Sequence, residues 1–376
     1  MSKPWDRHYE MLKKQTKVHF FEIDLLRFLA AIAVLFYHYT FAGFADNPNL
    51  VPVEYPFLAE FTRYSYLGVH LFFLISGFVI LLSAMNRSAI DFVSSRFIRL
   101  YPAFWASVSL SALILYFYGA PHFNITLPQY LMNMTMVSGY LGVKPIDGVY
   151  WTLLIEVEFY FLIFLLLLFK KLEYIEFFLS LWLGIILLSL FVTVPTIVRF
   201  LFFPEWAPLF IGGALLYLVY ARGWDLTRGL LLFSAYLLTL YFAVMEVNDL
   251  RKLYGKEFSS IIVVISISAF YGFFILMIAD KTRWLRSKKY ISVGLLTYPL
   301  YLFHANLGYL AFSYFSEVVN KYVLLAGVIM VMLVLAWLVH HFIEKPLSHY
   351  LQRKKKQLQS NKASASTTKK FQHQHA

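Results

Sequence analysis

The 376-residue chain contains no cysteine. This excludes a disulfide framework, a cysteine-ligated metal centre and a thiol nucleophile. Charge is also scarce: Asp, Glu, Lys and Arg together make up 14% of the residues, against roughly 25% in a soluble globular domain. Residues 1–17 are polar and lack a continuous apolar run, so they are not expected to be a cleavable signal peptide. Apolar residues fill the space instead: 60% of the chain is hydrophobic, 19% is aromatic, and the mean hydropathy is +0.64. This composition is that of an integral membrane protein, and its apolar stretches are too numerous for a single anchor.

Hydropathy and length predict an all-α, polytopic fold of about ten transmembrane helices. They fall near 20–42, 66–84, 100–118, 150–169, 176–194, 200–220, 228–245, 259–279, 292–314 and 322–343. With both termini placed in the cytoplasm, the outer loops hold Arg63, Lys144, Arg199, Arg251, Lys252, Lys256 and Lys321. The other 26 of the 33 basic residues lie inside or at inner helix ends. The positive-inside bias therefore supports that orientation, and it explains the net charge of +12 without nucleic acid as a partner. Three regions follow: a basic cytoplasmic segment over 1–19, a transmembrane domain over 20–345, and a polar, basic tail over 346–376 expected to be disordered. No internal repeat is visible.

The first span, FEIDLLRFLAAIAVLFYHY, holds two residues foreign to lipid, Arg27 and His38. They are 11 positions apart, which is three helical turns plus about 20°, so they share a face and stand about 16 Å apart along the axis. Ionisable groups inside a span are costly and mark a functional pathway by default. His70, Glu156 and His304 lie at comparable depth in later spans. Arg96 and Arg99 share a helix face just before Pro102, at the cytoplasmic mouth. There a guanidinium fork suits a phosphate-bearing ligand, although the positive-inside bias places arginines at the same spot. Glu156 and Glu158 are two apart and face different ways; the deeper Glu156 is the functional candidate, and Glu158 reads as a carboxylate near the headgroups. Ser76–Gly77 and Gly212–Gly213 are small residues suited to close helix contacts. The fifth and seventh spans read as lipid-facing and without chemistry. His340, His341 and Glu344 read as a structural helix end, and His373 and His375 are too sparse for a metal site. From these residues alone, a group-transferring enzyme and a proton-coupled transporter both fit.

Six motifs in order carry a resemblance. Arg27 and His38 form an Arg-x10-His pair preceded by Asp24. LFFLISGF at 71–78 includes Ser76, and RFIRLYP spans 96–102. Trp151-Thr152-Leu153 leads to Glu156 and Phe159-Tyr160, YPLYLFH runs over 298–304, and Glu-Lys-Pro closes at 344–346. Together they resemble the membrane-bound acyltransferase family 3, acyl-CoA-dependent O-acyltransferases that modify bacterial surface and exported glycans. His70 stands where many members carry Asp.

The resemblance implies a bacterial inner-membrane enzyme moving an acyl group, most often acetyl, from cytoplasmic acyl-CoA to a hydroxyl of a lipid-linked or exported glycan. His38 is implied as catalytic base or transient acyl carrier, with Glu156 or His304 tuning it. Arg96 and Arg99 are implied as holding the CoA phosphates, with Arg27 on the path. Asp24, Ser76, Trp151 and Tyr301 are implied in support. No metal is expected. Because the chain ends after the tenth span, it is expected to act alone or with separate polysaccharide assembly proteins.

Overall fold

The structure, a computed structural model, describes residues 19–374 apart from 86 and 194, with side chains to residue 359. The basic segment expected over 1–19 thus lies outside the described residues, except for residue 19. Among the described residues the regular structure is all helix. The long elements are α1 (Phe21–Asp46), α2 (Pro56–Ala84), α3 (Ala89–Tyr118), α4 (Gly148–Leu168), α5 (Leu172–Ser189), α6 (Thr196–Arg222), α7 (Leu226–Tyr254), α8 (Ser260–Ile278), α9 (Lys289–Phe315) and α10 (Lys321–Gln359). Nine of these are long and apolar enough to cross a membrane.

The exception is α9, which corresponds to the expected span 292–314. Its 27 residues are ample in length, at about 1.5 Å per residue, but it is more polar than the rest. The packing explains this: α9 lies against α1, α3 and α10, and Tyr301, His304 and most of their neighbours are buried in protein. A helix walled by other helices need not be apolar all round. By contrast α5, α7 and α8 expose large apolar side chains such as Phe177, Phe233 and Ile265, as a lipid-facing shell requires.

Without a hydrophobic driving force between helices in lipid, close contact depends on small residues. The closest such contact joins α2 to α6. A Cβ at Gly213 would stand 2.0 Å from the Leu74 carbonyl oxygen, and one at Gly77 would stand 2.1 Å from that of Phe210. Both predicted small-residue sites therefore meet each other.

Two boundaries differ from expectation. The segment 85–99, read as a loop, is helical from Ala89, so Arg96 and Arg99 project from α3 itself and Pro102 lies inside it. A proline there denies the residue four earlier, Ile98, its intrahelical donor; the Ser348 hydroxyl donates to that carbonyl instead, at 2.9 Å. The tail expected to lack order continues from α10 as helix over Lys345–Gln374. It is tied to the start of α3 by Lys355 on Asp91 at 2.7 Å and by Gln359 on the same carboxylate at 2.9 Å.

Candidate active site

α1 is α-helical over Phe21–Tyr37 and then makes one π turn over His38–Ala42. Such turns insert an extra residue, re-aim the side chains that follow, and recur at functional sites. Nothing in the apolar pattern signalled it. His38 is half-buried at its start. Its Nδ1 meets the Tyr309 hydroxyl at 2.6 Å, and its ring lies edge-on to His304 with centroids 5.0 Å apart. His304 is 1% exposed. Its Nδ1 stands 2.9 Å from the Tyr301 carbonyl, which can only accept, so Nδ1 carries the proton and Nε2 the lone pair. That Nε2 is buried without a partner among the described residues.

The backbone of α9 is held at this level by neighbours that sequence reasoning passed over. The Tyr39 hydroxyl donates to the His304 carbonyl at 2.7 Å, and Gly308 makes room for the Tyr39 ring. Asp147, fully buried at the foot of α4, accepts from the Asn306 amide at 3.0 Å and the Val149 amide at 3.2 Å, while the Asn306 side chain donates to the Ile146 carbonyl at 2.7 Å. Burial pushes the Asp147 carboxyl up to about 6 from its usual 3.8, against the pull of those two amides. A loop aspartate carries no periodic signal, which is why only the fold reveals it.

A second polar group lies in a cavity between α1, α2, α4 and α9. It is lined on its polar side by Arg27, Ser76, Thr152, Glu156, Tyr298 and Tyr301. Ser76 donates to Glu156 at 3.0 Å and Tyr160 donates to the same oxygen at 2.7 Å. The Arg96 guanidinium stands over the Tyr160 ring at 5.8 Å and the Phe92 ring at 5.9 Å. Arg27 has Arg99, Glu156 and Asp24 as charged neighbours, and Arg99 is exposed. Asp24 packs onto α9, where a Cβ at Gly294 would stand 2.8 Å from it, and it pairs with His19.

The structure thus brings the candidates together as two groups. His38 and His304 form one; Glu156, Arg27, Arg96 and Arg99 gather about the other. Glu156 belongs with the arginines, and no hydrogen bond joins it to either histidine among the described residues. Tyr301 connects the groups: it lines the cavity, its hydroxyl meets Thr152 at 2.8 Å, and its ring lies 5.5 Å from that of His304. Trp151 packs against Trp206 at 5.1 Å on the cavity's flank. Glu158 points elsewhere, accepting from Tyr140. The helix α7 runs beyond the expected span 228–245 and includes Glu246, which stands 3.1 Å from the buried His70.

With this geometry in place, the comparisons with known proteins are direct. Residues 20–341 match a family described as an acyltransferase domain. A stretch of 159 residues is 31% identical to Nodulation protein 10 of Rhizobium leguminosarum bv. viciae, covering 36% of this chain and 41% of that protein. The chain therefore spans about two-fifths of that relative's length. No solved structure matches. A helical, membrane-spanning chain whose motif residues converge on a histidine pair and an arginine-flanked cavity, matched almost end to end, belongs to the membrane-bound acyltransferase family 3.

Proposed function

We propose that the protein transfers an acyl group, acetyl by preference, from acyl-CoA at the cytoplasmic face of a bacterial inner membrane to a hydroxyl of a surface or exported glycan. The observation that carries this reading is the alignment of two groups along α1: arginines with a cavity at the level of Arg27, and the paired imidazoles of His38 and His304 three turns on. CoA phosphates at Arg96 and Arg99 would lead the pantetheine arm through the cavity past Arg27 and Glu156 and bring the thioester to His38. Phe72 and Phe73 wall that cavity and favour a short acyl chain.

The acceptor hydroxyl gives its proton to His38 as its oxygen attacks the thioester carbon. The C–S bond breaks, and the protonated His38 returns that proton to the CoA thiolate as it leaves. General-base help of this kind is worth about 10²–10⁴ in rate. The positive-inside distribution supports the orientation, with both termini cytoplasmic.

The test uses membranes containing the protein, radiolabelled acetyl-CoA and the membrane's own glycan. Labelled glycan is expected with the wild type and not with His38→Ala, which should remain inserted. Full transfer by His38→Ala overturns the assignment. No transfer by the wild type, together with proton-coupled solute uptake that depends on His38, favours the transporter instead.

A further inference from the structure

We propose that Tyr309 is a positioning residue that sets which nitrogen of His38 carries the proton, and that Gly43 exists to give it room. The inference rests on the reading of His38 as the base. Three observations converge on it. First, the Tyr309 hydroxyl lies 2.6 Å from His38 Nδ1, and His38 is its one hydrogen-bond partner among the described residues. Second, the π turn over His38–Ala42 brings Gly43 under the Tyr309 ring. A Cβ there would stand 2.8 Å from the ring carbon Cε1 and 2.9 Å from the His38 carbonyl oxygen, so no larger residue fits without displacing the tyrosine or the turn. Third, the other neighbours of the imidazole do not compete for Nδ1: the His304 ring meets it edge-on at 5.0 Å, and the Tyr37 hydroxyl is engaged with Tyr254 at 3.0 Å.

The chemistry gives the bond a direction. If Nδ1 keeps its hydrogen and donates to the phenol oxygen, Nε2 holds the lone pair that a base needs. When Nε2 then takes the acceptor's proton, the Nδ1 bond becomes charge-assisted and stronger, so the interaction favours the charged ring that forms during transfer. The opposite direction, phenol to Nδ1, would put the proton on Nε2 and leave nothing to accept from the hydroxyl. Each imidazole is thus bonded at Nδ1: the Tyr301 carbonyl can only accept, the Tyr309 hydroxyl accepts when His38 acts as the base, and the two Nε2 atoms are then left for chemistry.

The experiment measures two quantities in wild type, Tyr309→Phe and Gly43→Ala. One is which ring nitrogen of His38 diethyl pyrocarbonate carbethoxylates, read by NMR of the isolated peptide, since only a nitrogen with a free lone pair reacts. The other is acetyl transfer, resolved into kcat and the KM for acetyl-CoA. In Tyr309→Phe the ring is free to place its proton on Nε2 and Nδ1 is no longer bonded. Carbethoxylation of His38 is expected to move in part from Nε2 to Nδ1 and kcat to fall about 10- to 100-fold, with the KM for acetyl-CoA within twofold of wild type. Gly43→Ala is expected to act in the same direction by pushing the ring away, and adding it to Tyr309→Phe should cost little more, since both remove one interaction.

Carbethoxylation of Tyr309→Phe at the same nitrogen as in wild type overturns the proposal, as does a change in KM with kcat intact. If Tyr309→Phe fails to insert, the same two readouts on Gly43→Ala decide. If the wild type shows no acetyl transfer, the functional reading fails, while the carbethoxylation comparison still decides the role of Tyr309.

Discussion

Substituting Gly213 with alanine should damage both stability and activity, and the structure indicates how much. The new Cβ would lie 2.0 Å from the Leu74 carbonyl oxygen and 2.8 Å from the Phe78 amide nitrogen. Ordinary van der Waals contact begins near 3.4 Å, so α6 and α2 must part by about 1.4 Å, the difference between the two distances. The obstacle is backbone on both sides and cannot rotate aside. Overpacking in a core costs about 1–3 kcal/mol, and a contact of this kind belongs at the upper end, about 3 kcal/mol. In lipid that loss is not offset by hydrophobic burial, because helix association there depends on the packing itself. The displaced helix carries Ser76, which holds Glu156, and Phe73, which walls the cavity. Misplacing a reacting group by about 1 Å costs about 10²-fold in rate.

The assay is thermal unfolding of the purified protein in detergent beside acyl transfer in membranes. Gly77→Ala, which meets the Phe210 carbonyl oxygen at 2.1 Å, should behave alike. Gly272→Ala on α8, where nothing lies within 4 Å of the new Cβ, serves as control and should be neutral or gain up to about 1 kcal/mol in helix propensity. Wild-type unfolding temperature and activity in Gly213→Ala would refute the reasoning. So would equal losses in Gly213→Ala and Gly272→Ala.

Three further outcomes are expected. Asp147 binds its proton more tightly folded than unfolded, at about 6 against 3.8, so its contribution is fully present below pH 3.8 and is lost as pH rises through about 6. That loss is on the order of 3 kcal/mol. Asp147→Asn, which removes the titrating group and offers an oxygen to only one of the two amides, should lower the unfolding temperature and flatten it against pH across that window, and an unchanged slope would exclude Asp147 as its source. Glu22 is 1% exposed and accepts from Arg286 at 2.7 Å and Thr282 at 3.0 Å. Arg286→Ala should therefore lower the unfolding temperature more than Glu22→Gln, because only the former leaves a buried carboxylate short of its cation. Arg286 is 39% exposed, and solvent screening holds either loss to about 1–2 kcal/mol. Arg96→Ala with Arg99→Ala should raise the KM for acetyl-CoA about tenfold or more with the protein still inserted. An inverted topology at unchanged KM would assign these arginines to orientation alone.

How far the site could be read in advance differs residue by residue. Arg27, His38, Glu156 and His304 stood out because each is an ionisable group in an apolar run, and an anomaly of that kind is visible without a fold. Their grouping was not visible. The resemblance implies Glu156 or His304 as the group that tunes His38; the fold sets His304 beside His38 and Glu156 with Ser76, Tyr160 and the arginines. Tyr309 and Tyr39 were hidden among 27 tyrosines, since an aromatic in a membrane helix is ordinary until its hydroxyl is seen to reach a histidine or a carbonyl. Glu246 falls just past the seventh span as hydropathy bounds it, 228–245, and its partner His70 is far away in sequence, so nothing local links the two.

By itself the sequence determined the class of molecule, the approximate course of its helices and the residues that do not belong in lipid. These follow from composition and from the bilayer's demand for about 20 apolar residues per crossing. The tertiary structure alone decided that α9 can be polar because three helices cover it, that α3 begins before its arginines, that a π turn opens at His38, and that two imidazoles separated by 265 residues of chain come within 5.0 Å. Each of these depends on contacts between distant segments, and helical periodicity reports only which face a residue takes, not what that face will meet.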